Sequence, residues 1–248
     1  MARSSDLSAP PPLAELRADG DVALFLDFDG TLVELADEPD GIHVPEGLVD
    51  RLCSLSRDLD GRLAIVTGRA LDDLEGHIGT PTIARAGSHG IDCRDEDGSQ
   101  LGAEPDVLSD DLKQQVKVFA AAHALRYEAK THGAALHFRG NPAGGDLATR
   151  FLENLASSHE GLTVTTGKAV AELLEEDADK GSAVCRFMEE QPFAGARPVF
   201  IGDDVTDEDG FAETARRGGI AILVGDRDSD NATHHLATVH DVRDWLGL

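Results

Sequence analysis

The sequence predicts an α/β fold in which a parallel-sheet core is interrupted by a smaller inserted αβ domain. From Asp21 onward, short apolar runs typical of buried strands alternate with segments of helical periodicity. Polar clusters follow three of these runs, at Asp27–Thr31, Thr67–Arg69 and Gly202–Asp207. A polar, glycine-containing stretch after residue 94 marks the start of an inner part of this pattern. The outer part consists of the elements that precede and follow the inner part in the chain.

The outer part supplies the elements of the predicted core. Asp21–Leu26 and Arg62–Val66 each contain a continuous apolar run, as expected of central strands buried on both faces. Leucines at positions 48, 52, 55 and 59 recur at helical spacing and predict an amphipathic helix over residues 46–59. The other outer elements are predicted helices over Leu71–His77, Ser182–Glu190 and Glu208–Arg217, and predicted strands over Ile83–Ala86, Gly90–Cys93, Pro198–Ile201 and Ile220–Val224.

The inner part has its own helices and strands. Arg94–Asp106 is polar and acidic, which is typical of a hinge. Beyond it, helices are predicted around Leu112–Phe119 and over Asp146–Ser157, and strands over Ala134–Phe138 and Leu162–Thr166. We therefore expect a flexible N-terminal tail over residues 1–20, a core over 21–103 and 174–248, and an inserted domain over 104–173.

Composition excludes several function classes. The 248 residues include 47 acidic and 22 basic side chains, for a net charge of −25, so nucleic acid and anionic membrane surfaces are poor partners. No apolar run is long enough to span a membrane, and the N-terminus lacks the apolar region of a secretory signal. With three widely spaced cysteines, a cytoplasmic protein with reduced thiols is favoured over a disulfide framework. The acidity fits either a high-salt cytoplasm or an ordinary acidic enzyme.

The three polar clusters carry the predicted chemistry. Asp27 and Asp29 are two positions apart after a strand, so their side chains can converge on one face. Ligands of open parallel sheets bind outside the carboxyl ends of the strands, where all three clusters should meet. At about 4 Å and an effective dielectric near 20, each carboxylate pair there repels by ~4 kcal/mol. A hard cation such as Mg²⁺ would remove that repulsion, and Lys180 can offset the charge of a nucleophilic carboxylate.

These motifs together resemble those of the haloacid dehalogenase superfamily of phosphatases, whose fold is a Rossmann-like core with a cap domain. The resemblance covers residues 21–92 and 174–226. It implies that Asp27 attacks phosphorus, that Asp29 acts as general acid and then general base, and that Thr67 and Lys180 complete the catalytic set. It further implies that Asp27, the Asp29 carbonyl oxygen and Asp203 hold Mg²⁺. The supporting positions it implies are Thr31, Asp204 and Asp207.

Further segments narrow the resemblance to the trehalose-6-phosphate phosphatases. Gly-Asp-Asp-Val-Thr-Asp-Glu at 202–208, Val-Thr-Gly-Arg at 66–69, Gly-Ser-His-Gly at 87–90 and Gly-Lys-Ala-Val-Ala-Glu at 167–172 are similar to signatures of that family. So are Glu-Ala-Lys at 128–130 and His-Phe-Arg at 137–139. The resemblance implies that the cap binds the sugar hydroxyls through charged side chains. The inserted-domain pattern leads to the hypothesis that the cap closes over the substrate. The substrate-binding positions expected are Gly68, Arg69, His89, Glu128, Lys130, Arg139, Lys168 and Glu172.

Alternatives remain at this point. A related phosphatase could act on another sugar phosphate such as sucrose 6-phosphate, and a phosphomutase would share Asp27 and Asp29. A binding module without turnover would typically lack the nucleophile or the metal carboxylate, both of which are present. His89 could touch substrate or make a structural hydrogen bond, whereas His234 and His235 are expected at the surface. No obligate protein partner is inferred.

Overall fold

The computed structural model describes residues 4–36, 41–167, 169–176 and 178–248. It divides into two compact units. The first combines the chain up to residue 103 with residues 179–248, and the second comprises residues 104–178. Within the described residues no helix is both long and apolar enough to cross a membrane.

Strands and helices alternate along most of the described chain. The strands are β1 (Val22–Leu26), β2 (Leu63–Val66), β3 (Ala84–Gly87), β4 (Asp92–Arg94), β5 (Arg126–Ala129), β6 (Ala134–His137), β7 (Leu162–Gly167), β8 (Val170–Glu175), β9 (Arg197–Gly202), β10 (Ile220–Val224) and β11 (His234–Leu236). The α-helices are α1 (Leu13–Asp19), α2 (Leu48–Asp58), α3 (Leu71–Ile78), α4 (Asp110–Ala122), α5 (Gly145–Ser157), α6 (Lys180–Glu189), α7 (Glu208–Arg216) and α8 (Val239–Leu246). The predicted α/β class is confirmed.

The first unit is built on a seven-stranded sheet with the order β11-β10-β9-β1-β2-β3-β4. All neighbours are parallel except β3 and β4, which are antiparallel. Leu26, the last residue of β1, is in register with Ile201 of β9 and Ile65 of β2. The three strands that precede the polar clusters are therefore neighbours, and their carboxyl ends lie side by side.

Apolar side chains cover both faces of this sheet. In β1, Val22, Leu24 and Leu26 join one core cluster with leucines of α1 and α2, while Ala23 and Phe25 join a second cluster with residues of α6 and α7. Burial on both faces explains why the central strands are continuous apolar runs instead of alternating ones. The sheet is thereby held rigidly between two helical layers, which positions the residues at its carboxyl edge.

The N-terminal segment differs from the predicted flexible tail. Leu13 and Leu16 of α1 are buried in the core, at 7% and 5% exposure. Ser8 forms a parallel bridge with His234, and its carbonyl accepts a hydrogen bond from the His235 amide at 3.0 Å. A short helix over Leu13–Arg17 was a possibility that the sequence offered, and α1 confirms it. Its two leucines at i, i+3 spacing dock it on the core, which the proline-rich composition did not predict. The strands β8 and β11 and the helix α8 were also not predicted.

The second unit is an antiparallel sheet with the order β5-β6-β8-β7, covered on one face by α4 and α5. Ala134, Leu136, Ala171 and Leu173 point to the covered face and form its core. The boundary predicted after residue 173 falls inside β8, because the apolar end of this strand reads as the start of a new element. The contact pattern places the boundary at residue 178.

Candidate active site

The chain makes a tight turn directly after β1. The Asp27 amide donates a hydrogen bond to the Ile201 carbonyl at 2.9 Å, and the Gly30 amide donates to the Val33 carbonyl at 2.7 Å. Gly30 has φ of +82°, and a Cβ at this position would lie 2.3 Å from Oδ2 of Asp203. Glycine is required here because the turn needs a left-handed backbone and Asp203 packs directly against it.

Three carboxylates converge at the carboxyl edge of the sheet, from Asp27, Asp203 and Asp207. Each offers an oxygen, and these oxygens all lie within 4.8 Å of one another. Nζ of Lys180, the first residue of α6, donates to Oδ1 of Asp27 at 2.7 Å and to Oδ1 of Asp207 at 2.6 Å. The side chains of Lys180, Asp27 and Asp207 are at most 5% exposed. The lysine is thus a buried counter-ion for two of the three acids.

Burial and mutual repulsion perturb this cluster. Burial raises the pKa of Asp27 well above its ordinary value, an effect opposed by Lys180 and reinforced by Asp207 and Asp203. Burial is the main cause that raises the pKa of Asp203 from 3.8 to about 7, and repulsion from Asp207 is the second cause. Burial alone would lower the pKa of Lys180, but Asp207 and Asp27 outweigh it and the pKa is raised. One ammonium group therefore does not neutralise the cluster.

The residues present fit a divalent cation. Oδ1 of Asp203 and the hydroxyl of Thr31 are buried and have no hydrogen-bond partner within the described part of the chain. The donor set consists of hard oxygens, which suits Mg²⁺ and similar ions. Asp207, predicted as a supporting residue, contributes an oxygen to the cluster itself. Its other oxygen accepts a hydrogen bond from the Asp204 amide at 2.8 Å, so Asp204 supports the cluster through its backbone.

Asp29 is turned toward Arg69. Nε of Arg69 donates to Oδ2 of Asp29 at 2.6 Å and Nη2 donates to Oδ1 at 2.8 Å, which makes a two-pronged ion pair. Nη1 of the same arginine donates to Asp73 at 2.6 Å. Arg69 was predicted to bind substrate, but its fork holds the predicted general acid. The Thr67 hydroxyl lies directly after β2, is buried, and accepts a hydrogen bond from the Arg69 amide at 3.1 Å.

His89 packs against the backbone of the Thr67–Arg69 turn. A Cβ at Gly68 would lie 2.7 Å from Cε1 of His89, so only glycine allows this contact. His89 has φ of +60°, and its amide donates to the Thr67 carbonyl at 3.1 Å. A left-handed histidine costs roughly 1–3 kcal/mol unless its surroundings hold it. The contact with Gly68 makes His89 a support of the turn.

The open face of the second unit's sheet is polar. Glu128 and Glu172 are both in register with Ala135 of β6, so they lie on one line across β5, β6 and β8. Nζ of Lys130 donates to Oε2 of Glu172 at 2.6 Å. Nε2 of His137 donates to Oε2 of Glu128 at 2.6 Å, and this hydrogen bond is the main cause that lowers the pKa of Glu128. The Lys130–Glu172 ion pair and the His137–Glu128 hydrogen bond therefore share the face opposite the helices.

Two further positions, Arg139 and Lys168, were predicted to bind the sugar. Arg139 is exposed just beyond β6, and Lys168 lies outside the described residues. The sequence analysis predicted no role for His137, although this residue begins the His-Phe-Arg segment at 137–139. It also missed Asp179, whose carboxylate caps α6 by accepting the Ser182 amide at 2.7 Å. An Asp directly before a helix is a recognisable cap signal.

The three-layered parallel core, with carboxylates and a buried lysine at its carboxyl edge and an inserted αβ unit, defines a phosphatase of the haloacid dehalogenase type. A haloacid dehalogenase-like hydrolase from B. subtilis is similar in structure, with a TM-score of 0.65 at 14% identity over 92% of this chain and 99% of that one. The trehalose-6-phosphate phosphatase C-terminal domain of C. albicans is similar with a TM-score of 0.80 at 22% identity, covering 97% of each chain. At these identities the likenesses establish the fold.

The sequence comparisons are more specific. The sequence model of the trehalose-phosphatase family matches residues 25–242. The trehalose-6-phosphate phosphatase of Escherichia coli (strain K12) is 35% identical over 228 residues, which are 91% of this chain and 85% of that protein. A probable trehalose-phosphate phosphatase of Sinorhizobium fredii is 38% identical over 205 residues, which are 82% and 77% of the two chains. The chain belongs to the trehalose-phosphatase family.

Proposed function

We propose that this protein hydrolyses trehalose 6-phosphate to trehalose and inorganic phosphate, with Mg²⁺ as its metal. The observation that carries the proposal is the cluster of Asp27, Asp203 and Asp207, two of which bind the buried Lys180. The family match of the chain spans both core segments. Asp27, Asp203 and the Asp29 carbonyl oxygen would hold the ion, with Asp207 beside them. When bound, Mg²⁺ supplies positive charge that offsets the carboxylates and the phosphoryl oxygens.

Asp27 is the nucleophile in this proposal. One oxygen of Asp27 attacks phosphorus, the bond from phosphorus to the sugar oxygen breaks, and an aspartyl-phosphate forms. Lys180 lies within hydrogen-bonding distance of Asp27 and stabilises the negative charge of the transferring group. The Thr67 hydroxyl lies directly after β2 and would donate to a phosphoryl oxygen.

Asp29 handles the protons. It protonates the leaving sugar oxygen and then accepts a proton from the water that attacks the aspartyl-phosphate, which regenerates Asp27 and releases phosphate. Both oxygens of Asp29 accept hydrogen bonds from Arg69. This two-pronged contact fixes the orientation of the Asp29 carboxylate, which makes Arg69 a positioning residue for the acid.

The charged face of the second unit is proposed to bind the sugar. A disaccharide presents many hydroxyl groups, and long charged side chains are suited to donate to them and accept from them. Glu128, Lys130 and Glu172 lie on this face, and Arg139 and Lys168 are proposed to join them by the family resemblance. Lys130 already contacts Glu172, and His137 already contacts Glu128, so these contacts restrict the side chains before substrate binds.

The test compares phosphate release from trehalose 6-phosphate, glucose 6-phosphate and sucrose 6-phosphate, with Mg²⁺ and then with excess EDTA. We expect a strong preference for trehalose 6-phosphate that EDTA abolishes. Lys130→Ala should reduce turnover of trehalose 6-phosphate and spare p-nitrophenyl phosphate, whereas Lys117→Ala, on the exposed side of α4, should change neither. Equal turnover of all three esters would reject the sugar assignment, and activity in EDTA would reject the metal.

A further inference from the structure

The loop that follows β10 reaches back to the loop that carries the metal carboxylates. Nε of Arg227 donates to the carbonyl of Asp203 at 2.8 Å, and Nη2 donates to the carbonyl of Asp204 at 2.7 Å. These two carbonyls follow β9 directly, where the chain has left the sheet and is no longer held by strand pairing. A planar guanidinium matches two consecutive carbonyls in a way that an ammonium group cannot.

Glu208, the first residue of α7, anchors the guanidinium from the other side. Nη1 of Arg227 donates to Oε1 of Glu208 at 2.5 Å and to the Asp228 carbonyl at 2.9 Å. Oε2 of Glu208 accepts the amides of Asp230 at 3.2 Å and Asn231 at 3.1 Å. The Arg227 and Glu208 side chains are only 23% and 19% exposed. The guanidinium of Arg227 is therefore held by two main-chain carbonyls on one side and by Glu208 on the other.

We propose that Arg227, anchored by Glu208, is a positioning residue that sets the divalent-cation affinity of the site by holding the Asp203 backbone. The inference rests on the metal site of the proposed function. Oδ1 of Asp203 is buried without a hydrogen-bond partner in the described structure, although the side chain packs against Gly30. No protein hydrogen bond therefore holds this oxygen in place. The position of its carboxylate then depends on its main chain, which Arg227 holds.

A positioning role and a purely electrostatic role of Arg227 predict opposite changes in metal affinity when the side chain is removed. Arg227 is a cation beside a cation site, so by Coulomb's law its removal should tighten metal binding. If its role is to hold Asp203, its removal should weaken metal binding instead, by about tenfold as is typical for groups that orient metal ligands. Arg227→Lys separates the effects further, because it keeps the charge and loses the two-carbonyl fork.

In the experiment the purified protein is titrated with Mn²⁺, and the concentration of free Mn²⁺ is measured by electron paramagnetic resonance. We expect a dissociation constant about tenfold higher in Arg227→Lys and Arg227→Gln and a smaller increase in Glu208→Gln. The half-saturating Mg²⁺ concentration for phosphate release should rise by the same factor. Arg216→Gln is the matched control, because it removes the same charge from a side chain that is 64% exposed, and it should bind Mn²⁺ as the parent does.

The outcomes separate this inference from the proposed function. Parent-like affinity in Arg227→Lys, or tighter binding in Arg227→Gln, would overturn the positioning role and leave the metal site intact. If the parent protein itself does not bind Mn²⁺, the metal site of the proposed function fails. Circular dichroism identifies any variant that does not fold, and in that case Arg227→Lys, which keeps the charge and most of the length, decides the result.

Discussion

Replacing Lys180 by methionine tests the electrostatic design of the site. Methionine keeps most of the volume of the side chain and removes its charge and its hydrogen bonds. The change leaves the carboxylates of Asp27 and Asp207, both at most 5% exposed, without the ammonium that lies 2.7 and 2.6 Å from them. Removing one partner of a buried ion pair typically costs about 3–5 kcal/mol of unfolding free energy. We expect a loss of this size together with loss of turnover.

The loss should grow with pH. The raised pKa of Lys180 means that its stabilising contribution is complete below its ordinary pKa of 10.5 and is lost only as the pH rises through the still higher folded value. Between about pH 5 and 8 the lysine of the parent protein therefore stays charged. In the variant, the pKa of Asp27, already raised by burial, loses the lowering influence of Lys180 and rises further. Ionisation of Asp27 then costs more stability as the pH increases.

Urea unfolding of both proteins in EDTA, at about pH 5.5 and about pH 8, measures this effect. The double variant Lys180→Met/Asp207→Asn provides the control, because it removes one of the two stranded carboxylates and should recover about half of the lost stability. It should recover no activity. An unfolding free energy equal to that of the parent at both pH values would refute the reasoning, since the buried ion pairs would then contribute nothing net.

Three further predictions follow from single contacts. Gly30→Ala places a methyl group within 2.3 Å of Asp203, so calorimetric titration should show weaker Mg²⁺ binding, and unchanged affinity would contradict the tight turn. Asp179→Ala removes the cap of α6 and should cost about 1 kcal/mol in urea unfolding, whereas full stability would mean that water replaces the cap. His137→Gln should raise KM for trehalose 6-phosphate. The hydrogen bond from His137 lowers the pKa of Glu128 from its ordinary value of 4.5. It therefore stabilises the fold above pH 4.5, and this stabilisation is lost as the pH falls through the lower pKa of the folded protein. The melting temperatures of parent and variant should therefore converge in acid, and a constant difference would contradict the pairing.

The sequence alone determined the elements whose signal is local. The apolar runs of β1, β2 and β9 predict buried parallel strands because strands covered on both faces cannot alternate. The polar clusters that follow them predict a common site because parallel strands end at one edge. The need for a positive charge beside a nucleophilic carboxylate also suggested Lys180 for that site, although 153 positions separate it from Asp27.

Only the tertiary structure decided which polar groups pair at that edge. The chain shows no periodicity that would join Arg69 to Asp29, 40 positions away, or Arg227 to the Asp203 carbonyl, 24 positions away. The acids on either side of Arg227 are exposed, but the arginine between them points inward to the main chain. Such contacts arise when separate loops are brought together by the packing of the sheet and its helices. Their partners are therefore set by the whole fold and leave no trace in neighbouring residues.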